Sequence, residues 1–116
     1  MNTFCKQYRL KTKSEFGEVL QKGKKYVCSQ FVVLALPSVK SHSRLGIIVS
    51  KKVGQATVRN KIKRKLREIF RQLSPQDMIK HSDVVFIARR TASFTTYQEL
   101  NSAVVHSFHW LEKKLA

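Results

Sequence analysis

RLGIIVSKKVGQATVRNKIKRKLREIFRQL, residues 44–73, contains the change of period on which the fold turns. In residues 44–50, Leu45, Ile47 and Val49 alternate with Arg44, Gly46, Ile48 and Ser50, the two-residue repeat of a strand with two distinct faces. Gly54 interrupts that signal. From residue 56 to residue 73, Val58, Ile62, Leu66, Ile69 and Leu73 fall in one narrow stripe at about 100° per residue, which is a helical period. Asn60, Lys63, Arg64, Arg67 and Arg71 gather roughly opposite that stripe, so the spacing predicts a helix that packs with one side and offers the other to a partner.

The charge of this segment indicates what that partner is. Nine of residues 51–72 are Lys or Arg and only Glu68 is acidic, so half of the chain's net charge of +16 sits there. Like charges four apart, such as Lys63 with Arg67 and Arg67 with Arg71, oppose helix formation mildly, and one glutamate cannot offset them. A solvated face is the usual meaning of a charge run, but this density on an amphipathic helix matches a polyphosphate backbone, and so a nucleic acid. Lys51 and Lys52 extend the cluster into a loop after a strand, where ammonium and backbone groups can reach a phosphate.

The flanks supply the remaining elements. Thr12 and Glu15 stand in a capping-box arrangement, Phe16, Val19 and Leu20 follow at helical spacing, and Gly23 offers a stop. Residues 26–36 are β-branched and aromatic, with residues 31–36 reading as a buried strand ended by Pro37 and a small extra strand allowed near residues 26–28. The polar loop at residues 38–43 permits an antiparallel return, so strands 31–36 and 44–50 are expected to pair. After a turn at Ser74 and Pro75, residues 84–89 form a third strand. Thr95 or Thr96 then caps a last helix whose core face is Tyr97, Leu100, Val104, Phe108, Leu111 and Leu115. The order α-β-β-α-β-α predicts an α+β fold in which a single-layer, mostly antiparallel sheet carries the helices. The general rule makes the βαβ crossover right-handed.

Length and composition exclude other classes. At 116 residues and 42% hydrophobic, the chain is expected to form one domain, residues 1–116. No secretory signal pattern opens it and its longest apolar run, residues 31–36, is too short to span a bilayer, which predicts a cytoplasmic protein. Cys5 and Cys28 make no CxxC spacing, so neither a disulfide framework nor a thiolate zinc site is expected. The seven acids are scattered and no adjacent pair offers to hold two metal ions, which argues against nuclease chemistry by the protein itself. His106 and His109 are read as surface residues, and Trp110 lies off the apolar stripe.

Arg44-Leu45-Gly46, Ser50-Lys51-Lys52-Val53-Gly54, Arg59-Asn60-Lys61-Ile62-Lys63-Arg64 and Arg67-Glu68, in this order, resemble the signature of the bacterial ribonuclease P protein subunit. Arg9-Leu10-Lys11, Glu15-Phe16 and Gly23 upstream, and Asp83 and Ala88-Arg89 downstream, extend the resemblance over nearly the whole chain. It implies a small protein partner of a large catalytic RNA that cuts the 5′ leader from precursor transfer RNA, with the chemistry carried by the RNA and its Mg2+ ions. No protein ligand for magnesium is assigned. It also implies a left-handed βαβ crossover, against the general rule, and a cleft between the sheet and the first helix for the single-stranded leader.

The resemblance assigns RNA contact to Lys51, Lys52, Arg59, Asn60, Lys61, Lys63, Arg64, Arg67 and Arg71, and the leader cleft to Phe16 and Arg89. Asn60 has an alternative role in holding its loop, and Phe16 is read equally as a core anchor and as a stacking residue. Two positions depart from the family pattern. Lys61 replaces the usual Arg, exchanging a bidentate fork for a point charge. Leu20 and Leu34 stand where some relatives have aromatic residues. The expected partners are the ribonuclease P RNA and precursor tRNA, and no protein oligomer is predicted. The competing class is a non-enzymatic RNA-binding protein, such as a ribosomal component or an RNA chaperone.

Overall fold

The computed structural model describes residues 9–10, 12–37, 43–73 and 82–115, with the side chain of Leu115 excepted. Cys5, Lys11, most of the 38–43 loop, the Ser74-Pro75 turn and the burial of Leu115 lie outside the described residues. Within them the order is α1 (Lys13–Lys22), β1 (Lys24–Val27), β2 (Phe31–Pro37), β3 (Arg44–Ile48), α2 (Ala56–Leu73), β4 (Ser82–Ala88), a 3-10 turn (Arg90–Phe94) and α3 (Tyr97–Leu115).

Both capping boxes form. Thr12 Oγ1 accepts from the Glu15 N–H at 3.1 Å and Glu15 Oε1 accepts from the Thr12 N–H at 3.1 Å, which starts α1. For α3 the sequence left Thr95 and Thr96 open, and Thr96 is the cap, paired reciprocally with Glu99 at 3.0 and 3.1 Å. Thr95 instead turns inward and donates its hydroxyl to the Thr91 carbonyl at 2.7 Å, closing the 3-10 turn.

The sheet order is β1-β2-β4-β3, which corrects the expectation that β2 and β3 pair. β4 inserts between them, antiparallel to β2 and parallel to β3. The reason is burial. Every residue of β4 except the partly buried Ile87 is buried, a pattern that belongs at the centre of a sheet covered on both faces, whereas β3 has only a five-residue register to offer. The backbone at Arg9 and Leu10 adds a short parallel bridge on the outer edge of β3.

The hand of the β3-α2-β4 crossover follows from Leu45. Its C=O accepts from the Leu10 N–H, so it points away from β4, while its side chain enters the cluster beneath α2. In an L-residue of an upward strand whose side chain faces the viewer, the peptide groups point right. Seen from α2, β4 therefore lies left of β3 and the crossover is left-handed, against the usual preference.

Two apolar layers flank the sheet. On one face Phe31, Val33, Ala35, Leu45, Val84 and Phe86 meet α2 and α3, with the Phe31 and Phe86 rings edge to face at 5.1 Å. α2 contributes Ile62, Leu66, Ile69, Phe70 and Leu73, all buried. Each such side chain is worth about 1.5–3 kcal/mol when fully buried, against a few tenths for each like-charge pair on the helix, so packing decides that α2 forms despite its charge. On the other face α1 places Val19 over Leu34 and Val85 beside Leu10, and leaves Val32, Ile48 and Ile87 only partly covered. That incomplete cover makes an open trough. Among the described residues, no helix is long and apolar enough to cross a membrane.

Candidate nucleic-acid interface

The turn before α2 is braced from within. Val53 is buried and its N–H donates to the Ser50 carbonyl at 3.1 Å, while Arg59 reaches back to donate Nε to the Gly54 carbonyl at 3.2 Å. Arg59 thus holds the loop, a role its charge alone did not announce. Lys51 and Lys52 are exposed on this turn, and the Lys52 carbonyl accepts from Arg90 Nε at 3.2 Å. The turn is therefore tied to the end of β4.

The cations of α2 divide into two groups. Asn60, Lys61 and Arg64 are exposed. Arg71 is exposed too but bonds through Nε and Nη2 to Glu68, which also accepts from Gln72 at 3.2 Å. That hydrogen bonding holds the Glu68 carboxyl below its ordinary value and raises Arg71. Among the described residues, Glu68 is the one acid in an ion pair with the α2 cations.

Lys63 and Arg67 are half-buried and turn to the flank of the helix, where they line a cleft of about 130 Å³ with Arg9, Phe16, Gly46 and Ile47. Loss of solvent, and then the neighbouring Arg9 charge, lower the Arg67 pKa from its ordinary value. A guanidinium nevertheless stays charged at neutral pH, so three cations face one apolar-walled opening that focuses positive potential on an entering anion. Arg9 was visible in the sequence only as part of a motif. Its place beside Arg67 depends on the edge bridge to β3, which no local pattern encodes.

Phe16 is partly buried, and its ring rests on Gly46 so closely that a Cβ there would lie 2.5 Å from Cε1. The ring is both packed and presented to the cleft. Arg89 is not a wall of this cleft. It continues the Val85-Ile87 alternation on the α1 face, about 13 Å along the strand from Val85, and is tied there by Nη1 donating to the Cys28 carbonyl at 3.0 Å. Phe16 and Arg89 therefore border one sheet face at different points. Leu20 is exposed and Leu34 is buried, so of the two aliphatic replacements only Leu20 meets solvent.

The acids scattered in the sequence include one cluster. Glu15 and Asp83 both bond to Arg44, and the group joins α1, β3 and β4. Among the described residues, no group of three or more His, Cys, Asp and Glu side chains could hold a metal ion. Trp110 packs on Tyr26 with ring centroids 5.3 Å apart, and His106 lies exposed against the same tyrosine at 5.9 Å.

Comparison with known proteins places this arrangement. The Ribonuclease P family model matches residues 4–112. The ribonuclease P protein component of Bacillus mycoides is 41% identical over 104 residues, covering 89% of this chain and 90% of that protein. That of an Exiguobacterium species is 40% identical over 103 residues, covering 89% of each. The RNase P protein of Staphylococcus aureus superposes with a TM-score of 0.77 at 38% identity, over 85% of this chain and 90% of that one. That of Thermotoga maritima gives 0.79 at 34% identity, over 90% and 97%. These matches decide against the ribosomal or chaperone alternative. With its sheet order, its cationic α2 and its motifs in register, the chain belongs to the ribonuclease P protein family, the protein subunit of a ribonucleoprotein endonuclease of transfer RNA 5′ processing in which the RNA carries catalysis.

Proposed function

We propose that this subunit docks on the ribonuclease P RNA through the exposed side of α2 and the Lys51-Lys52 turn, and receives the 5′ leader of precursor tRNA along the trough on the α1 face. The observation that carries the docking half is the charge of α2, whose cations have only Glu68 as an acidic partner in an ion pair among the described residues. Lys61 and Arg64 present point and forked donors outward, suited to phosphate oxygens. Arg9, Lys63 and Arg67 draw an incoming strand toward Phe16, and the partly covered Val32, Ile48 and Ile87 lead on to Arg89. Single-stranded nucleic acid binds where such a cationic groove is paired with apolar and aromatic surface.

Magnesium enters this reading through the RNA, and the protein's part is positional. It neutralises backbone charge and adds affinity for substrates that carry a leader, in the cytoplasm where tRNA is matured. Each phosphate neutralised contributes about 0.7–0.9 to the slope of log affinity against log salt. The test is reconstitution with a Bacillus ribonuclease P RNA and labelled precursor tRNA at low magnesium. Wild-type chain is expected to raise 5′ cleavage above that of RNA alone, and a Lys61→Glu, Arg64→Glu variant to assemble far more weakly with its fold unchanged. Equal assembly by the two proteins would refute the docking assignment.

A further inference from the structure

Phe94 is 82% exposed, well beyond Val27 at 54%, Leu20 at 42% and Trp110 at 38%. A phenyl ring left in water that far is a standing cost that a covering partner would relieve. Its setting is ordered. The 3-10 turn Arg90–Phe94 is closed by Ala92 N–H to the Arg89 carbonyl at 2.9 Å, by Ser93 Oγ to the Arg90 carbonyl at 2.7 Å and by Thr95 Oγ1 to the Thr91 carbonyl at 2.7 Å. Ala92 is buried in the core shared by the sheet, α2 and α3, and Arg90 is bonded to the Lys52 carbonyl. Backbone and anchor thus hold the ring outward on a fixed frame.

We infer that Phe94 is a stacking platform for an unpaired nucleobase of the catalytic RNA. This rests on the docking role proposed for α2. The charge nearby selects the class of partner: Arg90 opens the turn and is exposed, and Lys51 and Lys52 lie across the Arg90 bond. The nearby acid, Glu99, is engaged in capping Thr96. An apolar protein surface closing over Phe94 must also bury or crowd these cations without counter-charge, whereas a nucleotide supplies a π-face for the ring and a phosphate for the cations. The side of the molecule selects between RNAs. Ala92 of the same turn enters the α2 and α3 layer, while the proposed leader trough lies on the α1 face, across the sheet.

The experiment compares full-length wild type, Phe94→Ala and Phe94→Tyr in assembly with a Bacillus ribonuclease P RNA over a salt series. Loss of one stacked base is expected to weaken assembly about 5- to 100-fold in Phe94→Ala, with Phe94→Tyr restoring it to within about threefold. The salt slope is expected to stay unchanged, because no phosphate contact is removed, and the preference for leader-bearing over leaderless precursor tRNA is expected to stay unchanged as well. In a Trp110→Phe background, Phe94→Trp is expected to show its indole emission quenched on assembly. Circular dichroism and thermal melting establish that each variant is folded. Undiminished assembly by Phe94→Ala, a loss that tyrosine fails to restore, or self-association of the free chain that Phe94→Ala abolishes overturns the inference. Failure of the wild type to assemble removes the docking reading itself, whereas wild-type assembly equalled by Phe94→Ala removes the stacking role alone.

Discussion

Arg44 holds Asp83 in a two-pronged grip, Nε to Oδ1 at 2.9 Å and Nη2 to Oδ2 at 2.8 Å, while Nη1 donates to Glu15 Oε2 at 2.8 Å. The Arg44 and Asp83 side chains are only 13% and 11% exposed, so this is an ion pair largely out of water. Its hydrogen bond to Asp83, against some loss of solvent, raises the arginine pKa further above its ordinary value. Because Asp83 is the register partner of Arg44, the grip spans the parallel β3-β4 pair, and Glu15 adds the first turn of α1. Three elements distant in sequence are fastened at one point.

Removing one partner from such a pair leaves a poorly solvated charge, at a cost on the order of 3 kcal/mol. Asp83→Asn and Arg44→Met are therefore each expected to lower the urea midpoint. In the double variant the losses are expected to be less than additive, since the Asp83 charge that Arg44→Met alone would strand is gone. A double-mutant cycle by denaturation measures this. Additive losses would mean that the two side chains act independently.

Gly46 is set against Phe16 with no room for a methyl group: an added Cβ meets Cε1 at 2.5 Å, Cζ at 2.6 Å and Leu10 Cδ1 at 3.2 Å. The atoms met first are the far end of the Phe16 side chain, so the ring can swing away and the cost in stability is expected at the low end of overpacking, about 1 kcal/mol. The functional effect is expected to be larger. Gly46→Ala moves the ring out of position in the cleft, so discrimination between precursor tRNA with and without its leader falls as it does in Phe16→Ala, while docking on the catalytic RNA is preserved. Binding of the two substrates to the reconstituted particle reads the difference.

These two contacts illustrate what could be read in advance. The capping residues Thr12 and Thr96, the alternation at Leu45, Ile47 and Val49 and the stripe Ile62, Leu66, Ile69 and Leu73 are local patterns, and each appears in the fold. Strand adjacency is not local. The insertion of β4 between β2 and β3 depends on which strand is buried on both faces, and a short polar loop gave the opposite impression. The candidate site divides along the same line. The outward position of Arg64 follows from helical spacing, but the same spacing puts Lys63 and Arg67 on that outer side and they instead flank a cleft, because the backbone at Arg9 and Leu10 joins the edge of β3. Arg59 is likewise a loop brace through Gly54, and Phe70 is a core residue beside the stripe rather than on it.

The pairing of Glu68 with Arg71 makes a prediction about the strength of docking. Arg71 shares its guanidinium with a carboxylate, whereas no ion pair is formed by Arg64 among the described residues. Arg71→Ala is therefore expected to weaken assembly less than Arg64→Ala. Glu68→Gln is expected to tighten assembly and to steepen the salt slope by up to about one phosphate contact, 0.7–0.9. Titration of the catalytic RNA with each variant at several salt concentrations separates these outcomes, and weaker assembly by Glu68→Gln would assign the glutamate to holding the helix.

Glu99 supplies a pH signature at the start of α3. Its carboxylate accepts the Thr96 N–H, and that backbone bond, followed by the Thr96 hydroxyl, holds its pKa below the ordinary value of 4.5. The folded state therefore binds this proton less readily than the unfolded chain. The contribution is complete above 4.5 and is lost as pH falls through the lower folded value. Glu99→Gln keeps an acceptor for the cap but does not titrate. The stability advantage of wild type over Glu99→Gln is accordingly expected to be constant near neutrality and to shrink on the acid side of 4.5. Paired denaturation curves across that range test it, and an advantage that stays constant into acid would show that the cap does not depend on the carboxylate charge.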